Sequence, residues 1–261
     1  MNYRTIRYET ADQVATITLN RPESRNAISP LMINEIIHAL ECARADDEVR
    51  VIVITGAGKG FSAGGDLGMM GGGGNDGDGE TVEIKHGFPA LNLAFARNSK
   101  PTIAKVNGHA MAGGLGLMVA CDFAIASDKA EFATPEINVG LFPMMIMANI
   151  FRNVPRKRGL ELVLLGERID AREAERIGLI TRAVPAPELD TAVDALAAKL
   201  KAKSPAILRL GLEAFYAQQD MALEEALPYL EKMLGRCFET EDFREGVAAF
   251  LEKRAPHWKG K

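Results

Sequence analysis

The 261-residue sequence predicts an α/β protein that ends in helices. Three observations predict it. Strand-like apolar runs alternate with amphipathic helical stretches over the first half. The β-branched run VRVIVIT at 49–55 passes straight into Gly56-Ala57-Gly58, as a buried strand passes into a loop. From Met144 onward the apolar spacing is helical almost throughout.

Residues 4–8 and 14–19 alternate like strands, and 20–25 read as the turn after them. Ser29-Pro30 then opens a helix as N-cap and first helical residue, and Met32, Ile36, Leu40 and Ala43 fall on one face of it. After the strand at 49–55 come a second helix, a strand at 102–106, a helix from near Ala112 and a strand at 123–126. Beyond these only 181–184 reads as a short strand. Ser204-Pro205 caps another helix, which sets Leu208, Leu212, Phe215 and Gln219 on one side, and amphipathic segments at 223–236 and 242–253 follow. Residues 1–200 are expected to form the core that carries the site, and 201–261 a helical appendix that covers its own domain or a neighbour.

Charge and cysteine usage narrow the function. With 31 Lys and Arg against 35 Asp and Glu the net charge is −4, which gives no basic field for a nucleic acid, and an anionic small ligand needs a local basic patch. No apolar run approaches the roughly 20 residues of a membrane span, and MNYRTIRYET lacks the apolar core of a signal peptide. The expectation is a cytoplasmic protein with neither a membrane nor a nucleic-acid partner. Cys42, Cys121 and Cys237 are odd in number and widely spaced, and are expected as core or half-buried thiols. With His38, His86 and His257 they form no metal-ligand spacing, so no metal is expected.

Three segments carry candidate chemistry: FSAGGDL at 61–67, VNGHAMAGGLGLMVACD at 106–122 and TPEINVGLFP at 134–143. The first two join apolar runs to glycine-permitted turns, a way of aiming free backbone N–H groups at one point. Read functionally, the N–H groups of Gly65 and Gly113 hold one thioester oxygen, with the helix after Gly113 adding positive potential; read plainly, the glycines only permit tight turns. The third segment supplies Glu136, a carboxylate in nearly uncharged surroundings and so a proton-transfer base. Asp66 reads as a turn and helix-capping residue, and His109 as a satisfied polar group in a buried turn. Met144, Met145 and Met147 fit either helix core or an adaptable acyl pocket. GMMGGGGNDGDG at 68–79 reads as a flexible loop placed to serve as a lid; it lacks the spacing of a phosphate cradle.

Together with RPESRNAI (21–28), KPTIAKVNGHAMAGG (100–114), CDFAIAS (121–127), GERIDAREAERIGLI (166–180) and REGVAAFLEKR (244–254), these segments identify a resemblance to the crotonase superfamily, the enoyl-CoA hydratase/isomerase family. The resemblance covers nearly the whole chain. It implies a spiral of ββα units, a helical C-terminal trimerisation region, and trimers or dimers of trimers. It implies an acyl-CoA thioester as substrate, with coenzyme A arriving as part of it and no separate cofactor. Implied acyl-CoA contacts are Arg25, Ala27, Ala63, Gly65, Asp66, Leu67 and Gly113, with Ala63 near the adenine and Gly65 and Gly113 as the oxyanion hole. Lys253 matches a position that serves a neighbouring subunit's CoA site, or is a solvated lysine.

The chain departs from the hydratase pattern at one position. Hydratases of this family carry two glutamates; Glu136 matches one, and Gly116 stands where the other is expected. Syn addition of water divides its work between two carboxylates. Moving a double bond from the 3 to the 2 position needs one base that takes a proton from C2 and returns it at C4, so isomerisation leads. The alternatives are hydration with a substitute acid such as Glu80 or Glu83, and a non-catalytic acyl-CoA-binding scaffold.

Overall fold

In the computed structural model residues 2–66, 68 and 85–261 are described. Strands β1 (Ile6–Ala11) and β2 (Val14–Leu19) form an antiparallel hairpin. From β2 the chain passes through a 3-10 turn (Pro22–Ser24) into α1 (Pro30–Ala45), where the Ser29 hydroxyl accepts from the Met32 N–H at 3.2 Å. The predicted face of α1, Met32, Ile36, Leu40 and Ala43, is buried. Next come β3 (Val51–Gly56), α2 (Phe88–Ala96) and β4 (Thr102–Val106). After β5 (Ala110–Met111), α3 (Gly113–Val119) leads to β6 (Phe123–Ser127) and β7 (Glu131–Ala133).

One sheet runs β1-β2-β3-β4-β6-β9, with β9 at Arg182–Val184, and every pair after the first hairpin is parallel. A smaller sheet runs β5-β7-β8, with β8 at Ile169–Asp170. The alternation within β3 explains the layering: Ile52 and Ile54 join the main core with α1, whereas Val51 and Val53 pack with Ile103, Ile125 and α7 (Leu189–Lys201) on the other face. Helices α4 (Met144–Asn153), α5 (Arg156–Leu165) and α6 (Ala171–Arg176) lie between β7 and β9 in the chain. The chain then closes with α8 (Pro205–Gln218), α9 (Leu223–Glu239) and α10 (Glu241–Glu252). Parallel pairing places the segments after β3, β4 and β7 together, and those segments carry the candidate site.

Several expectations need correction. The first strand starts at Ile6 and the third at Val51, two residues later than read, and the short strands β5, β7 and β8 were not read at all. Helix α8 buries Ala206, Leu210 and Ala214, while the expected stripe lies partly open, with Phe215 exposed. His109 is exposed, its Nδ1 lying 3.4 Å from a Glu131 oxygen rather than inside a buried turn. Cys121 is buried, and Cys42 and Cys237 half-buried, as expected. The segment 69–79, together with Leu67, Glu80 and Glu83, lies outside the described residues. Among the described residues no helix is long and apolar enough to cross a membrane.

Candidate active site

Three turns meet at one cavity of about 390 Å³, and Ala63, Gly65, Gly113 and Glu136 all line it. The first turn follows β3. It is held from below by Asn26, which is buried with φ +55°: its Nδ2 donates to the carbonyls of Ala57, Gly60 and Phe61 at 2.9, 3.0 and 3.2 Å, and its Oδ1 accepts from the Arg21 N–H at 3.0 Å. The Ser62 hydroxyl donates to the Asn26 carbonyl at 2.8 Å and accepts from the Gly64 N–H at 3.2 Å. Ala63 N–H donates to Arg25 O, Ile28 N–H to Gly64 O, and Asp66 N–H to Ile28 O. Those bonds leave the intervening Gly65 N–H without an acceptor among the described residues.

The second turn follows β4. Ser62 bridges to Ala110, tying the two turns side by side. Ala112 adopts φ +49° and ψ −129°, backbone space that an alanine enters only at a cost of about 1–3 kcal/mol. This turn sets Gly113, at the start of α3 and with its N–H likewise without an acceptor among the described residues, beside Gly65. A Cβ placed on Gly113 would lie 3.2 Å from the Gly65 nitrogen and 2.8 Å from Cζ of Phe88. Glycine keeps the space in front of both amides open.

The third turn is the 3-10 segment Pro135–Val139. Its base is fixed by buried Thr134, whose hydroxyl donates to Leu162 O at 2.7 Å, and by Gly140 at φ +77°. Glu136 is half-buried, and its Oε2 is enclosed with no hydrogen-bond partner. Burial raises its pKa above the ordinary carboxylate range, opposed only by a backbone hydrogen bond. The remaining wall is largely apolar: Phe88, Leu141, Phe142, Met144, Met145 and Ile146. Met144 and Met145 therefore line the pocket, while Met147 packs on the core.

Gly116 lies in α3, buried, and α4 crosses directly over it. A Cβ there would stand 2.1 Å from Cγ2 of Ile146, which itself is 3% exposed. The space beside Gly116 is filled with hydrocarbon.

The other predicted contacts sit around this centre. Arg25, exposed at φ +55°, and half-buried Ala27 flank the first turn, and Asp66 forms an ion pair with Arg21 at 3.0 Å. Lys253 is an exposed residue at φ +55° ending α10 and does not line the cavity. Leu67 is outside the described residues. Sequence reasoning missed Asn26, Ala112 and Ile146. Among the described residues no group of His, Cys, Asp and Glu is placed to hold a metal ion.

A parallel sheet whose following loops bring Gly65, Gly113 and the half-buried Glu136 to one cavity is the architecture of a crotonase-fold protein, and the sequence agrees. The model of the enoyl-CoA hydratase/isomerase family matches residues 9–261, and the chain belongs to that family. Among its relatives is a probable enoyl-CoA hydratase, echA8, of Mycobacterium bovis, 38% identical with 99% of each chain covered. Similar solved structures include enoyl-CoA hydratase from Mycobacterium smegmatis (34% identity, TM-score 0.89, 98% of this chain and 99% of that one). The human enoyl-CoA hydratase domain-containing protein 3 is similar too (33% identity, TM-score 0.89, 98% and 100% covered).

Proposed function

We propose that the protein is an acyl-CoA-processing enzyme that shifts the double bond of a 3-enoyl-CoA to the 2 position, using Glu136 as its single acid/base group. The observation that carries this reading is the pairing of a Glu136 carboxylate whose Oε2 is enclosed and without a partner with Ile146 packed over Gly116. Ionised Glu136 takes a proton from C2, and the electrons of that C–H bond pass into the thioester carbonyl, giving a dienolate. The N–H groups of Gly65 and Gly113 donate to the oxygen that gains the charge. Glu136 then returns its proton at C4, the electrons close a C2–C3 double bond, and the carboxylate is restored. The reaction moves one proton and calls on no cofactor beyond the coenzyme A of the substrate.

In this reading Arg25, Ala27, Ala63 and Asp66 line the path of the coenzyme A, and Lys253 serves the site of an adjacent copy. Residues 201–261 make the subunit contacts. Phe250 and Leu251, at 82% and 73% exposure, with Leu223, Leu227 and Phe238, give α9 and α10 an apolar surface that fits a trimer or a dimer of trimers.

The relatives' printed names favour hydration as a second reading, with a substitute acid completing the site. Both are tested by incubating the protein in D₂O with 2-enoyl-CoA and 3-enoyl-CoA of several chain lengths and identifying every product by mass and NMR. Conversion of the 3-enoyl to the 2-enoyl thioester with deuterium at C2 or C4, well ahead of hydration, is expected. Hydration of crotonyl-CoA at a comparable rate overturns the isomerase assignment. Neither reaction, with thioester binding intact, establishes a scaffold.

A further inference from the structure

A second cavity, of about 210 Å³, lies at the opposite end of the parallel strands. It opens where the turns leading into β3 and β4 meet the first turns of α8 and residues 259–261. Glu136 and the two unbonded amides belong to loops that follow strands, so this cavity and the acyl cavity share no lining residue. Arg44, Arg50, Lys100, Arg209 and Lys261 line it, along with Lys259, against the single carboxylate of Asp47. On a chain of net charge −4 this is a local inversion of sign.

Two of these cations are already engaged. The Lys100 ammonium donates to the carbonyls of Ala43, at 2.7 Å, and of Asp46, and Lys259 pairs with Glu241 at 3.0 Å. The guanidinium groups of Arg44, Arg50 and Arg209 form no hydrogen bond or ion pair among the described residues, although they face one small pocket. Burial, and to a smaller extent the Arg50 charge, lower the Lys100 pKa against the pull of Asp46 and Asp47. An oxyanion in the pocket would relieve that strain. Planar guanidinium groups offer paired N–H donors that match phosphate oxygens, and the volume suits one or two phosphate groups rather than a polymer.

We infer that this pocket is a binding site for the phosphate group of a small molecule, held by Arg44, Arg50 and Arg209 and separate from the acyl-CoA site. The occupant's phosphate could belong to a free phosphate or pyrophosphate or to the nucleotide end of a second coenzyme A molecule, and the experiment distinguishes these.

Isothermal titration of the full-length protein with pyrophosphate, at ionic strength held constant with chloride, should give saturable binding. The Arg44→Gln/Arg209→Gln variant should bind it at least about tenfold more weakly, while its melting temperature without ligand and its KM for acyl-CoA stay at the wild-type values. Competition by coenzyme A with KM unchanged assigns the pocket to a nucleotide phosphate; no competition assigns it to a free phosphate or pyrophosphate. Absence of saturable binding, or equal binding by a folded variant, overturns the proposal. A raised KM in the variant overturns it as well, because the arginines would then belong to the acyl-CoA site. If the double variant fails to fold, the single Arg209→Gln variant, on the exposed side of α8, answers the same question by the same titration.

Discussion

Cγ2 of Ile146 lies 2.1 Å from the point that a Cβ on Gly116 would occupy, so the two positions on α3 and α4 cannot both carry side chains as they stand. Gly116→Ala is therefore expected to destabilise the protein by about 1–3 kcal/mol through overpacking, and Ile146→Ala by about 2–5 kcal/mol through the cavity it leaves. Denaturant unfolding of the double variant should show a smaller loss than the sum, because each change relieves the other. Gly116→Glu alone should fail to gain hydratase activity; in an Ile146→Ala background it should raise hydration of crotonyl-CoA. No gain there would show that a second carboxylate is not what the site lacks.

Glu136 gives a stability prediction of definite sign. Its pKa is raised by burial, so the folded state favours the protonated carboxyl, and that contribution to stability is present below the unfolded value of about 4.3 and lost as pH rises through the folded value. Glu136→Gln should abolish turnover, leave thioester affinity within a few-fold, and melt higher than wild type at neutral pH. The gap in melting temperature should close on acidification. The same titration sets the acid limb of kcat/KM, which should lie above that of a solvated glutamate.

Gly113→Ala places a methyl 3.2 Å from the Gly65 nitrogen, in the space a thioester oxygen would take, and 2.8 Å from the Phe88 ring. Alanine keeps its own N–H but its methyl covers the Gly65 amide, so turnover should fall by about 10²–10³, as when one oxyanion donor is lost. Adding Phe88→Ala should recover the stability lost to the ring contact without recovering the rate. Recovery of both would mean that the ring clash, and not the donor, set the loss.

Asn26→Ala strips three carbonyls of their donor and leaves an alanine at φ +55°. Loss of roughly 2–4 kcal/mol in unfolding free energy is expected, with a rise in KM because the turn bearing Ala63 and Gly65 is no longer held. Asn26→Asp keeps the acceptor for Arg21 but sets a carboxylate against those carbonyls, and should be no better.

For the helical end, the proposed trimer predicts that Phe250→Glu with Leu251→Glu gives monomers in light scattering where the wild type gives an oligomer, while circular dichroism stays unchanged. Both side chains are largely exposed in the single chain, so their replacement removes no core contact. An intact oligomer would place the interface elsewhere.

Much of the frame was legible in the sequence because it rests on local rules. Ser29 and Ser204 cap where a serine before a proline should, and β2 and β4 have the expected bounds. The strands β5 and β8 were not legible, since two residues carry no period. Glycine-rich turns and one isolated acid marked Gly65, Gly113 and Glu136, and these do line one cavity. Ala112 escaped because nothing about an alanine announces a positive φ, and Ile146 because its role depends on which helix crosses above Gly116. Asn26 sat inside a quoted motif, where its reach to three carbonyls is a matter of tertiary structure.

The Ala112 methyl lies 2.6 Å from where a Cβ on Gly64 would stand, and the Gly113 nitrogen is 3.2 Å from that same point. The two glycine turns are thus braced on each other like stones at the crown of an arch. Their spacing is fixed by direct contact as well as by the strand pairing beneath them. Thermal breathing of β3 against β4 would then move both amides as one piece, and a side chain introduced at Gly64 would register as misalignment of the donor at Gly113.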